Sequence, residues 1–187
     1  MNNRYLMTLR LLFIKSPMKR ARLMKKWGVF RECGDRVMIT SRKIPLYSRL
    51  ISIGENVWLA SNVQFITHDV SHFMLNGMKI YDKKFKEKVG CISVGNNVFV
   101  GANTQILYDV KIGNNVIIAA GSIVNKDIED NSVVAGVPAK KIGKFEDFVE
   151  KRKNNNIDVR VDNKKSKIDR VSEDILWGNF QKQRRFR

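Results

Sequence analysis

At 187 residues, with 43% apolar and 28% charged side chains, the chain is long enough for one domain with a sizeable core. A formal charge of +17 calls for an anionic partner: nucleic acid, an anionic membrane surface or a polyphosphate cofactor. Cys33 and Cys91 stand in no zinc or disulfide spacing, which excludes a metal finger or a disulfide framework. Both read as structural thiols suited to a reducing cytoplasm.

The charge is uneven. Residues 1–31 hold nine Lys or Arg and no acid, and from Lys140 onward there are fifteen bases and eight acids. No apolar run is long enough to span a bilayer. The basic, apolar amino end resembles a secretory leader, but its apolar run is short, Arg10 breaks it and no small-residue cleavage site follows. It is expected to be retained. Residues 3–14 predict a helix with Leu6, Leu9 and Phe13 on one side. Ser16-Pro17 reads as a cap with proline at the first helical place. A second helix over 17–27 sets Lys19, Arg20, Arg22, Lys25 and Lys26 against Met18, Leu23, Met24 and Trp27. Such a pair either caps the core or lies on an anionic membrane face, and the two roles can coexist. These helices are taken as a segment of their own, residues 1–32.

From Gly34 the chain changes character. Residues 33–44 read as irregular coils and 45–49 as a bulge. A six-residue frame starts at Ile53 (IGENVW, LASNVQ) and returns over VGNNVF, VGANTQ, ILYDVK, IGNNVI, IAAGSI and VNKDIE. The first places are Val94, Val100, Ile106, Ile112, Ile118 and Val124; the fifth are Val98, Thr104, Val110, Val116, Ser122 and Ile128. First and fifth places point the same way on a pleated strand. Gly-Asn-Asn and Gly-Ala-Asn between them tolerate positive φ and turn the chain. Such units predict stacked coils with an aliphatic interior, since no single coil buries its apolar face alone.

From Phe65 to Val94 is 29 residues, not a multiple of six, so a loop leaves the coil within 70–92. Its Phe73, Met74, Met78, Ile80, Tyr81 and Phe85 are too apolar for an idle loop. The coils run to about residue 142, with proline ending their pairing. Residues 143–187 form the last segment. It holds a helix over 144–153, a charge-rich stretch from Asn154 to Lys167 expected to be flexible, and a short helix capped near Ser172. A basic tail closes it.

The repeat resembles the hexapeptide-repeat acyltransferases. The resemblance implies an all-β fold, a left-handed parallel β-helix, with N-terminal helices and a short helical, basic C-terminal tail. It covers about residues 51–153. "LASNV", "FITHD" and "VGNNVFVG" are similar to the sugar and polysaccharide O-acetyltransferase branch, the relatives of maltose and galactoside acetyltransferases. Both histidines, His68 and His72, lie at the start of the loop, and imidazole suits taking a proton near neutrality. A histidine at a strand end can equally be structural. The resemblance makes His68 the general base of direct acyl transfer and Asn62 a contact to the acceptor hydroxyl or transition state. Adjacent strand residues point to opposite faces, so Asp69 is not expected to pair with His68. Glu87 is a weaker candidate for that partner.

"IIAAGSIVNKDIEDNSVVAGVPAKKI" resembles the family's coenzyme A segment. That implies a pantetheine arm along Ala120 and Gly121, phosphates near Lys126, Lys140 and Lys141, and adenine flanked by Val137 and Pro138. For each lysine a solvated turn charge is the plain alternative. Tyr108-Asp109 stands where relatives have Pro-Gly, so that corner departs from the pattern.

The expectation is an acetyl-CoA-dependent O-acetyltransferase acting on a sugar of a surface polysaccharide or its precursor. It needs no metal, is a homotrimer, and is cytoplasmic or at the inner membrane face. Transfer to an amino sugar or serine is the nearest rival. A β-helical carbonic anhydrase needs three histidine ligands, which two histidines do not supply. A β-helix scaffold gripping nucleic acid by its basic ends is the non-enzyme alternative, but the core lacks a basic stripe with interleaved aromatics.

Overall fold

Three walls of short parallel strands enclose one aliphatic interior. The computed structural model describes residues 4–154, 159, 161–162 and 167–185. Two helices come first, α1 (Arg4–Leu12) and α2 (Pro17–Lys26), the second capped by the Ser16 hydroxyl accepting from the Lys19 amide. Coils follow: β1 (Glu32–Cys33), β2 (Met38–Ile39), β3 (Ile51–Ile53), β4 (Val57–Leu59) and β5 (Gln64–Ile66). An excursion carries β6 (His68–Asp69), α3 (Ser71–Gly77) and β7 (Lys88–Val89). The regular stack is β8 (Ile92–Val94), β9 (Val98–Val100), β10 (Gln105–Leu107), β11 (Val110–Ile112), β12 (Val116–Ile118) and β13 (Ile123–Val124). It ends in β14 (Ser132–Ala135), β15 (Lys140–Lys144) and α4 (Phe145–Lys153).

The walls are ordered β1-β3-β8-β11, β5-β10-β13 and β2-β4-β9-β12-β14, with β15 added to the last. The regular coil advances 18 residues, as in Ile92↔Val110 and Val98↔Val116. Ile51↔Ile92 spans 41 residues, 23 more than that 18, and the surplus is the excursion. It leaves at Thr67 and returns at Gly90, whose amide donates to the Thr67 carbonyl at 2.9 Å. The loop expected within 70–92 is therefore a short antiparallel ribbon, β6 with β7, carrying a helix.

The hexad frame holds side chain by side chain. Every first-place and fifth-place residue from Val94 to Ile128 is buried, including Thr104 and Ser122, whose hydroxyls both donate to the Ala119 carbonyl. The outward residue between them is exposed at Phe99 and Lys111 and half-buried at Gln105, Ile117 and Ile123. The corners turn through asparagine. The second asparagine takes the positive φ (Asn56 53°, Asn97 56°, Asn115 54°), while Gly54, Gly95 and Gly113 do not. These glycines are needed for approach: a Cβ on Gly95 would stand 2.6 Å from the Gly113 carbonyl oxygen of the next coil. The left-handed asparagines stack, Asn56 donating to Asn97, Asn97 to Asn115 and Asn115 to Asn131, at 2.9–3.0 Å. Asparagine tolerates that conformation and its amide satisfies its neighbour.

The helices depart further. α1 turns Met7 and Leu11 to the core, with Ile14 beyond its end; Leu6, Leu9 and Phe13, expected together on one side, are exposed. Arg20, expected on a solvated basic face, is buried. Its guanidinium donates to the carbonyls of Ile14 (2.6 Å), Lys15 (3.0 Å), Ile39 (3.2 Å) and Thr40 (2.8 Å). Planar geometry with five donors suits Arg to gathering carbonyls from two segments.

The chain divides into two compact units, Met1–Phe148 and Val149–Arg187; residues 1–32 fall inside the first. In the second, β16 (Val161–Asp162) pairs antiparallel with β17 (Lys167–Ile168), and α5 (Arg170–Arg185) follows. The last helix is longer than expected and starts earlier, because Asp169 caps it: its carboxylate accepts from the Ser172 amide and hydroxyl. Most of the stretch expected to be flexible, and the last two residues of the tail, lie outside the described residues. No described helix is long and apolar enough to cross a membrane.

Candidate active site

His68 is placed by the break in the frame. β5 runs into β6, where the chain abandons the wall and pairs with β7, so His68 lies opposite Val89. The Tyr47 ring meets the imidazole edge-on, with centroids 5.4 Å apart. Tyr47 itself stands at φ 50° in the bulge before β3, and its hydroxyl donates to Glu87 Oε2 at 2.9 Å. That bond, then burial, raises the Tyr47 phenol above its usual pKa. Glu87 thus reaches His68 only through Tyr47. The imidazole Nδ1 is buried and has no hydrogen-bond partner among the described residues. Tyr47 was missed in sequence, because nothing in the irregular 45–49 stretch ties it to residue 68.

Asp69 turns away from His68. Its carboxylate accepts from the Ser71 hydroxyl (2.6 Å), the Ser71 amide (3.0 Å) and the Tyr108 hydroxyl (2.9 Å). These three bonds hold it below the ordinary carboxylate range. Lys88 pairs with Asp109 at 2.7 Å, and Asp109 takes φ 59° at its corner. The Tyr108-Asp109 departure is therefore a clasp: both residues tie the excursion back to the column.

A cleft of about 790 Å³ abuts this point. Tyr47, Glu87 and Val89 line it together with the apolar Trp27, Ile44 and Leu50 and with Arg4 and Met7 of α1, and His68 itself is not in its lining.

The remaining expected residues fall in two places. Asn62 is exposed at a corner with φ 59° and donates to Asn103 Oδ1 at 3.1 Å, as a member of a second asparagine stack. Ala120 and Gly121 form the turn before β13, and Val137 and Pro138 the turn between β14 and β15. These turns are neighbours, since the Ile123 amide donates to Gly136 and the Ala139 amide to Ile123. Both are open: Val137 and Gly121 are exposed, and a Cβ on Gly121 would meet nothing within 4 Å. Ala120 sits so close over the coil below that Gly101 has no room for a side chain. Lys140 and Lys141 follow on β15, Lys141 lying 3.8 Å from Glu129. The register Ile106↔Val124 and Ile106↔Phe65 sets Lys126 and Tyr108 in line with Thr67, the residue before His68. Two strand spacings, about 10 Å, separate Lys126 from Thr67. Among the described residues no cluster of His, Cys, Asp or Glu could hold a metal.

The bacterial transferase hexapeptide (six repeats) model matches residues 92–126. Protein CapG of Staphylococcus aureus is 46% identical over 101 residues, 53% of this chain and 55% of its own length. Over residues 92–126 the chain is thus similar to the hexapeptide-repeat transferases. The galactoside O-acetyltransferase of Escherichia coli (strain K12) is 39% identical over 99 residues, 52% of this hexapeptide chain and 45% of the relative. Among solved structures, a galactoside acetyltransferase in complex with coenzyme A superposes with TM-score 0.55 at 27% identity, covering 78% of this chain and 80% of that one. The chain spans about half the length of the curated relatives it matches.

Proposed function

We propose that this chain is an acetyl-CoA-dependent O-acetyltransferase that acylates a sugar hydroxyl of a surface polysaccharide or its precursor. The observation that carries this reading is the placement of His68, one imidazole at the break of a hexapeptide column, packed against Tyr47 and opposite Val89, two residues that line a cleft large enough for a saccharide. Coenzyme A bound as a thioester supplies an activated acetyl group. The chain's part is to hold the acceptor, take its proton at the imidazole and offer a backbone N–H to the oxygen that gains charge. The edge-on Tyr47 ring restricts imidazole rotation, and Tyr47 is in turn held by Glu87. Asn62 is assigned to the acceptor side; its bond to Asn103 fixes its carboxamide plane.

The residues assigned to the donor fit an extended pantetheine. Ala120 and Gly121 present a bare turn next to the exposed turn of Val137 and Pro138, and Lys126, Lys140 and Lys141 are exposed for phosphate. Family resemblance supports a left-handed coil, a cytoplasmic homotrimer, and a donor site that residues of two subunits share.

The test separates donor from acceptor chemistry. Acetyl-CoA should raise the melting temperature of both the parent chain and His68→Ala, while the variant loses about a hundredfold or more in turnover on a soluble galactoside. Undiminished turnover removes His68 from the role, and no response to acetyl-CoA removes the reading. Acetylation of amines in preference to hydroxyls transfers it to the N-acyl class.

A further inference from the structure

α1 is apolar on both sides. Met7 and Leu11 pack inward, yet Leu6, Leu9, Leu12 and Phe13 are 49–81% exposed. Met18, at the start of α2, adds 41%. Helices apolar all round are normally buried all round, so this outer face wants a second neighbour. Its surroundings say which. Arg10, Lys15, Lys19, Arg22 and Lys26 are exposed around it and form no ion pair among the described residues; no acid precedes Glu32. A second copy meeting this face across a two-fold axis would set these cations against themselves. An anionic lipid surface accepts the apolar residues and neutralises the cations together.

We propose that α1 and α2 dock this chain on an anionic lipid surface. The two long, exposed apolar anchors, Leu9 and Phe13, enter the interface, and the five cations lie over the head groups. This docking stands independently of acetyl transfer. One consequence rests on the acetyl-transfer reading. Arg4 and Met7 of the docked helix also line the cleft that Tyr47 lines, so the acceptor sugar is one carried on a lipid in that surface.

The experiment is flotation of the full chain with phosphatidylglycerol–phosphatidylcholine vesicles and with phosphatidylcholine alone, at low and high salt. The expected result is capture by the anionic vesicles, little capture by the neutral ones, and weakening in high salt. The double variant Leu9→Asp/Phe13→Asp should bind about tenfold more weakly or worse, with an unchanged melting temperature, because neither side chain belongs to the core. Absence of capture, or capture that the double variant retains, overturns the proposal. So does a drop in oligomeric state of that variant without vesicles, which makes the face a subunit contact. Equal displacement of the parent chain by a DNA duplex in place of lipid also overturns it. Acetylation of a soluble galactoside is measured in parallel: a chain that floats but does not transfer refutes the enzyme reading alone, and the reverse refutes docking alone.

Discussion

The column and α1 are both rich in aliphatic residues and hold them differently. In the column each strand offers two directions, and the inner one is filled by Val, Ile, Ser or Thr while the outer one carries Lys111, Phe99 or Ser93. Position in the pleat alone decides burial, and each buried residue lies over its counterpart one coil away. α1 offers a full circle of directions, and Met7 and Leu11 are covered while Leu6 and Leu9 are not. A repeat thus locks side chains in by registry with its neighbours. A single helix is locked only where something meets it, here the Arg20 tether and the start of the coils.

The sharpest break of that contrast is within the column. Ile106→Ala empties a fully buried ladder position and should cost about 2–5 kcal/mol in denaturant unfolding, whereas Phe99→Ala, on the outer face, should stay within about 0.5 kcal/mol. Next is the tether. Arg20→Ala strands carbonyls from Ile14, Lys15, Ile39 and Thr40 and should cost about 2–3 kcal/mol, with Lys a poor substitute. The two sides of α1 give a closer comparison: Leu11→Ala should lower stability by about 2–3 kcal/mol, and Leu9→Ala should leave it unchanged within about 0.5 kcal/mol. The smallest effect is on acid stability. Asp69 has its carboxyl lowered by Ser71 and then Tyr108, so its contribution is present above the ordinary aspartate pKa and is lost as pH falls through the lower folded value. Proteolysis within residues 70–87 should speed up below about pH 4. Asp69→Asn should bring that faster cleavage to neutral pH.

These contrasts explain what could be read beforehand. The hexads were legible because alternation leaves each residue one choice, and the excursion because it broke a count of six. Its exit was off by two residues, since Thr67 still faces inward and His68 already departs. The turning corners were legible, but the close approach at their glycines was not, because it is a tertiary demand that no single unit reveals. Which α1 residues pack was not legible, because its apolar residues span most of the helix circumference, and neither was the burial of Arg20, because charge type says nothing of carbonyls brought from the coils. In the candidate site, His68 and the turn of Ala120 and Gly121 followed from the motifs. Tyr47 did not, because it reaches the imidazole from a stretch with no period at all.

Arg20 has one more consequence. A ladder of parallel strands is open at both ends, and each open end invites another chain to add on. At the first end, Arg20 occupies the carbonyls of Ile39 and Thr40, which a newcomer would need. At the last, β15 reverses direction over β14 and carries Lys140, Lys141 and Lys144. Fibril growth is blocked by a plug below and by like charge above, so a motif that could polymerise without limit stays one molecule long.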